Sequence, residues 1–80
     1  AGDLGIDIIN TVRKFKSENQ LSLKEELSQL ILESKEKDFE RHIKNIEDDL
    51  KAVCKVDEIT FKGKTTLESE KFAVKIGIKK

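Results

Sequence analysis

Leu21-Ser22-Leu23-Lys24-Glu25-Glu26-Leu27-Ser28-Gln29-Leu30-Ile31-Leu32-Glu33-Ser34 is the stretch on which the fold turns. Ser22 followed three residues later by Glu25 is a capping-box pattern, in which each side chain takes up a backbone N–H at a helix start. Leu23, Leu27, Leu30 and Ile31 would then share a helical face. Leu30-Ile31-Leu32 is equally a compact apolar run between polar residues, as a buried strand would be. Periodicity leaves both readings open, and the choice sets where a sheet begins.

Upstream, the spacing predicts a helix from Asp3 to Ser17, with Asp3 or Gly2 near its cap. Leu4, Ile8, Val12 and Phe15 step by four, four and three and make a core-facing stripe. Ile6, Ile9, Arg13 and Lys16 form an adjoining stripe, apolar at its start and cationic at its end. Ile6 and Ile9 are expected to face a neighbouring helix of a larger bundle. The plainer reading folds them under the sheet or leaves them exposed. Arg13, Lys14 and Lys16 crowd the helix end, where cations suit the negative end of the dipole.

Downstream, Phe39, Ile43, Ile46, Leu50 and Val53 step by four, three, four and three and predict a second helix. Ser34 is its expected cap, and Glu36, Asp38 and Glu40 load its start with the negative charge that the dipole favours. Val56 to Lys62 alternates as a strand, with Ile59 and Phe61 on one side. Residues 63–70 read as a hairpin loop. Phe72, Val74, Ile76 and Ile78 then alternate as a final strand.

Eighty residues make one domain. Such a chain buries about 60–65% of its unfolded surface, so its core is thin. Sixteen cations balance sixteen anions, so no global field draws the chain to DNA or an anionic membrane. Any nucleic-acid contact must come from a local patch. The single cysteine, Cys54, excludes an internal disulfide and suits a reducing, cytoplasmic setting. No apolar run approaches the roughly 20 residues that span a bilayer, and no signal peptide is evident. Ala1 in place of an initiator Met admits removal upstream, excision from a longer chain, or a cloning remnant.

No catalytic, cofactor-binding or metal-binding set is visible. His42 flanks the apolar stripe of the second helix and reads as a boundary residue, since one helix face makes no pocket for a general base. Cys54 reads as a small buried hydrophobe with no activating partner. Gly63-Lys64-Thr65 lacks the preceding glycine of a phosphate loop and joins two strands instead of opening a helix. Glu47-Asp48-Asp49 are consecutive, so their carboxylates diverge around a helix. The cations fall in three groups: the end of the first helix, the start of the second (Lys35, Lys37, Arg41, Lys44), and the hairpin with the tail (Lys62, Lys64, Lys71, Lys75, Lys79, Lys80). Such groups grip RNA phosphates. All four aromatics are Phe and fall on inward stripes, so base stacking is not expected.

The run Val12-Arg13-Lys14-Phe15-Lys16-Ser17-Glu18-Asn19-Gln20-Leu21-Ser22-Leu23 resembles a junction near the C-terminus of class I aminoacyl-tRNA synthetases. It is most similar to the archaeal-type valyl-tRNA synthetase group. There the last helix of the anticodon-binding bundle ends in a basic R-x-x-K-S-E, matched here by Arg13, Lys16, Ser17 and Glu18. A small residue and a leucine pair follow. Gln20-Leu21-Ser22 stands where a Gly-Met-Ala type of junction is commoner, which leaves isoleucyl and leucyl relatives open.

The resemblance implies a helical turn over Leu23 to Glu26 and a first strand over Ser28 to Glu33. The expected fold is therefore α+β, in the order helix, strand, helix, strand, strand. The last strand, being the most apolar, is placed between the other two, giving a three-stranded mixed sheet of split β-α-β form with both helices on one face. Residues 1–20 would be the last helix of the bundle and residues 21–80 a β-α-β-β appendage. The resemblance further implies a parent ligase, cytoplasmic, that joins valine to its tRNA using ATP and Mg. The fragment itself carries no catalytic signature and no cofactor. Arg13, Lys14 and Lys16 become candidate RNA contacts, weak by themselves, and Ile6 and Ile9 candidate contacts to the remaining synthetase domains. No DNA or membrane partner is expected. The alternative is a small protein-interaction or structural α+β domain without RNA contact.

Overall fold

The computed structural model describes residues 3–22 and 24–80, with the backbone alone at Asp3. The elements are α1 (Asp3–Glu18), β1 (Leu27–Glu33), α2 (Phe39–Cys54), β2 (Val56–Thr60), β3 (Leu67–Glu68) and β4 (Lys75–Lys79). Gly2 and Leu23 lie outside the described residues, and so does the part of the expected cap and helical turn that falls on them. Residues 24–26 are not helical. Ser22 instead holds a turn: Lys24 N–H donates to its Oγ at 3.1 Å and Glu25 N–H to its carbonyl at 3.0 Å.

The ambiguous stretch is a strand because it is buried from both sides. Leu30 and Leu32 enter the main core, while Ile31 between them faces the opposite side and is also only 2% exposed. A strand covered on both faces has no reason to alternate, which explains the unbroken apolar run.

The sheet order is β2-β1-β4-β3, an α+β arrangement with four strands instead of three. β1 pairs in parallel with β2 and antiparallel with β4. The last strand is interior, as expected, but it lies between β1 and the added β3 and not between the first two strands: β1 and β2 are neighbours, so the β1-α2-β2 crossover is not split. Of the two interior strands, β1 carries the longer fully buried run. β4 presents Lys75 and Lys79 to solvent, whereas Leu30, Ile31 and Leu32 present nothing. The added strand, β3, pairs Leu67 with Ile76 and Glu68 with Lys75. Two residues are too short for an alternation signal.

Both helices share one core with the Leu30, Leu32 and Ile76 side of the sheet. α1 contributes Leu4, Ile8 and Val12, and α2 contributes Phe39, Ile43, Leu50 and Cys54. Each such side chain, fully buried, stabilises the fold by roughly 1.5–3 kcal/mol before entropy is counted. Phe39 meets Phe61 edge-on, with centroids 6.2 Å apart and planes at 84°. The expected cap Ser34 does not begin α2. Its Oγ accepts from Glu36 N–H at 3.3 Å in the turn after β1, and Asp38 holds the N-cap position without a side-chain cap bond.

The expected strand from Phe72 is shortened by a tight turn. Ser69 N–H donates to the Val74 carbonyl at 2.9 Å and Val74 N–H to Ser69 Oγ at 2.8 Å. Ala73 takes φ 52° within it. The turn breaks the alternation and swings Phe72 out to 43% exposure, so one aromatic is not inward as expected.

Candidate nucleic-acid interface

α1 ends in a Schellman arrangement. Leu21 N–H donates to the Lys16 carbonyl at 2.7 Å and Gln20 N–H to the Ser17 carbonyl at 3.1 Å, with Gln20 at φ 56°. These bonds satisfy carbonyls that a helix end otherwise leaves open. They also fix which way the last turns face. Arg13 and Lys14 are exposed. Lys14 Nζ lies 3.8 Å from Glu70 Oε1, with both side chains largely in water. Such a pair contributes little and opens readily to a competing anion.

Lys16 departs from the expected surface role. It is 1% exposed. Its Nζ donates to the Glu25 carbonyl at 2.9 Å and to the Cys54 carbonyl at 3.0 Å. The ammonium therefore ties α1 to the loop before β1 and to the last turn of α2, whose carbonyl end favours a cation. Of the three cations in this run, two face solvent and one serves the fold.

The isoleucines also part. Ile9 is half-buried and packs against the protein's own core. Ile6 stands out at 53% exposure. Beside Lys14, a cleft of about 290 Å³ is lined by Asp7, Asn10, Thr11, Glu68, Glu70 and Lys71. Its carboxylates oppose phosphate, so the candidate anion surface is the solvent side of Arg13 and Lys14 and not this cleft.

Asp7 was not singled out by sequence. It is 3% exposed, and its carboxylate accepts from Phe72 N–H at 2.9 Å and Lys71 N–H at 3.2 Å. Burial disfavours its charge, but hydrogen bonds from the Ser69 side chain and from Phe72 and Lys71 N–H, with the Lys71 charge, hold the carboxyl below its ordinary value. Its only sequence signal is an acid interrupting an apolar helix. Burial pushes the Cys54 thiol up against the opposing Lys16 and Arg13 charges, which makes it a poor nucleophile. His42 is half-buried on α2. Among the described residues, no three His, Cys, Asp or Glu side chains group as metal ligands would. Among them, too, no helix is long and apolar enough to cross a membrane.

No family model matches the chain. It is similar to valine–tRNA ligase of Ehrlichia ruminantium, at 37% identity over 75 residues in strain Welgevonden and 39% over 75 residues in strain Gardel. It is also 34% identical over 76 residues to valine–tRNA ligase of Ehrlichia canis strain Jake. Each match covers 94% of this chain and 9% of the relative, so the chain spans about a tenth of the length of the proteins it matches. The valyl part of the resemblance thus has support; its archaeal-type affinity has none in these names. No solved structure matches.

Proposed function

We propose that this chain is the C-terminal segment of a valine–tRNA ligase, a non-catalytic support for the anticodon-binding helices whose Arg13 and Lys14 touch phosphates of bound tRNA. The observation that carries the reading is the similarity, over 94% of the chain, to three proteins of that name. On this reading α1 is the last helix of the anticodon-binding bundle and residues 21–80 are the appendage packed on it. The parent is cytoplasmic and joins valine to its tRNA using ATP and Mg. The residues here do not fit that chemistry: no H-I-G-H-like or K-M-S-K-S-like signature occurs in the sequence, and the one Gly-Lys-Thr run lacks its phosphate-loop context. No step through ATP is therefore assigned to this chain.

What α1 can do is electrostatic. Two exposed cations at one helix end attract a phosphate backbone, and a contact of this size is weak and salt-sensitive. The test is an NMR titration of the labelled chain with a tRNA transcript, repeated on an Arg13→Ala/Lys14→Ala variant. Shifts should centre on residues 12–20, and the variant should lower the slope of log affinity against log salt by about 0.7–0.9 per lost contact. Shifts that spare residues 12–20, or that heparin reproduces at physiological salt, would remove the RNA role.

One observation favours the alternative of an interaction domain without RNA contact. Ile6 is the exposed large apolar residue of α1. If Ile6→Lys releases the chain from its parent's other domains while tRNA affinity stays unchanged in the Arg13→Ala/Lys14→Ala variant, the contact is protein alone.

A further inference from the structure

The segment joining β2 to β3 folds back over the sheet face that the helices leave open. Lys64 lays its carbonyl directly on Gly77, where a Cβ would have no room. A Cβ on Gly63 would lie 2.8 Å from Ile31 Cδ1, so the loop also roofs this buried apolar side chain. Gly77 is opposite Ile31 in the register of β1 and β4, and Lys75 and Lys79, two residues to either side, share its face.

The lysines gathered there are not equivalent. Lys75 has Glu33 and Glu68 as its cross-strand neighbours, which offset its charge locally without a close ion pair. Lys79 is opposite the uncharged Gln29. The tail beyond it is pinned by Ser28, whose Oγ lies 3.0 Å from the Lys80 carbonyl and 3.3 Å from that of Lys79. Lys62 N–H turns over Thr60 Oγ1 at 3.4 Å, and Thr60 belongs to this same face through its pairing with Ile31. Lys62, Lys64, Lys79 and Lys80 are all exposed. Among the described residues, none of the four has a carboxylate within ion-pair distance. The carboxylate that shares this end of the face is Glu58, one strand beyond Gln29.

We infer that this lysine-bearing sheet face, and not only the end of α1, is a contact surface for the ribose-phosphate backbone of a folded RNA. The inference rests on the tRNA reading above and names a second surface for it. Phosphate is favoured over a protein partner by what the face lacks. A protein interface needs an apolar centre. Here Ile31 is already covered, and the exposed large apolar residues Ile6, Val53 and Phe72 lie on the helices and the β3–β4 turn. With Glu33 and Glu68 set beside Lys75 and Glu58 near Gln29, what remains is an excess of cations over carboxylates, which suits sequence-independent phosphate contact.

The experiment measures tRNA affinity of the whole chain across a salt series for two new variants beside Arg13→Ala/Lys14→Ala. Lys64→Gln/Lys79→Gln removes two charges and leaves the seating of the loop intact, because Lys64 holds it through its carbonyl. The salt slope should fall by about 1.4–1.8 and, with the 1 M intercept unchanged, affinity by about 25- to 60-fold at 0.1 M salt. Gly77→Ala changes no charge but lifts the loop and Lys64 with it. If it remains folded, its slope should fall by about 0.7–0.9. An unchanged slope in Lys64→Gln/Lys79→Gln overturns the inference. If Arg13→Ala/Lys14→Ala alone lowers the slope, the tRNA reading stands and this surface does not. If the lysine pair alone matters, this surface stands and the helix end is not the contact. Equal binding and equal loss with a DNA duplex of the same length would mark a general polyanion patch and overturn the RNA assignment, and loss of affinity only for an acidic protein would overturn it in favour of a protein partner.

Discussion

Lys16 and Asp7 are opposite charges on α1, and both are spent on backbone groups. Lys16 satisfies two carbonyls from segments far apart in sequence. Lys16→Met keeps the apolar stem but leaves those carbonyls without this donor, and should cost about 1–3 kcal/mol. A lower urea midpoint with an unchanged m-value would show it; an unchanged midpoint would mean the bonds are worth no more than their solvated counterparts. Asp7 does the reverse, accepting from the N–H groups of the β3–β4 turn. Its folded carboxyl titrates below the ordinary value of 3.8. Its contribution is therefore fully present above that ordinary value and is lost as pH falls through the lower folded one. Asp7→Asn should cost about 1–2 kcal/mol at neutral pH and flatten the fall in stability between about pH 4 and the folded pKa. Parallel acid limbs in the two proteins would refute the assignment.

At the scale of elements, the end of α1 holds a correctable imperfection. Gln20 occupies a left-handed position that glycine takes without steric cost. Gln20→Gly should raise stability by about 1 kcal/mol, read as a higher melting temperature; a fall would mean the Gln20 side chain makes a contact that outweighs its backbone. The two long helices were legible because Leu4, Ile8 and Val12, and Phe39, Ile43 and Leu50, repeat at helical spacing and are in fact buried. β1 was not legible from period, since burial on both faces erases alternation, and only the resemblance separated strand from helix. Strand order was legible only in part. Apolar content puts the last strand in the interior, where it is, but it does not show that its second neighbour is the two-residue β3 and not β2. Phe72 continued a regular alternation that the Ser69 turn interrupts, and no spacing rule anticipates a left-handed alanine. At the candidate site, Arg13 and Lys14 were placed on the surface as expected. Lys16 was not, because a helical wheel shows which side a residue faces but not that a second helix ends there in need of a donor.

For the molecule as a whole, α1 is not a handle attached to a finished domain. Leu4, Ile8 and Val12 belong to the same core as the sheet and α2. A chain beginning at Leu21 should therefore lose cooperative unfolding and bind a hydrophobic dye, since three large side chains would be stripped from one face of a small core. A sharp melting transition in that truncated chain would mean residues 21–80 are self-sufficient. The Lys16 bonds carry one more consequence, for how the protein is made. Cys54 lies 38 positions after Lys16, and Gln29 of the central strand waits for Lys79. On the ribosome α1 and its near acceptor, the Glu25 carbonyl, emerge well before the Cys54 carbonyl that completes the tie, and β1 emerges before either of its neighbours. Non-local pairings of this kind form late and slowly, so the nascent segment must stay unsettled until its closing lysines have been translated.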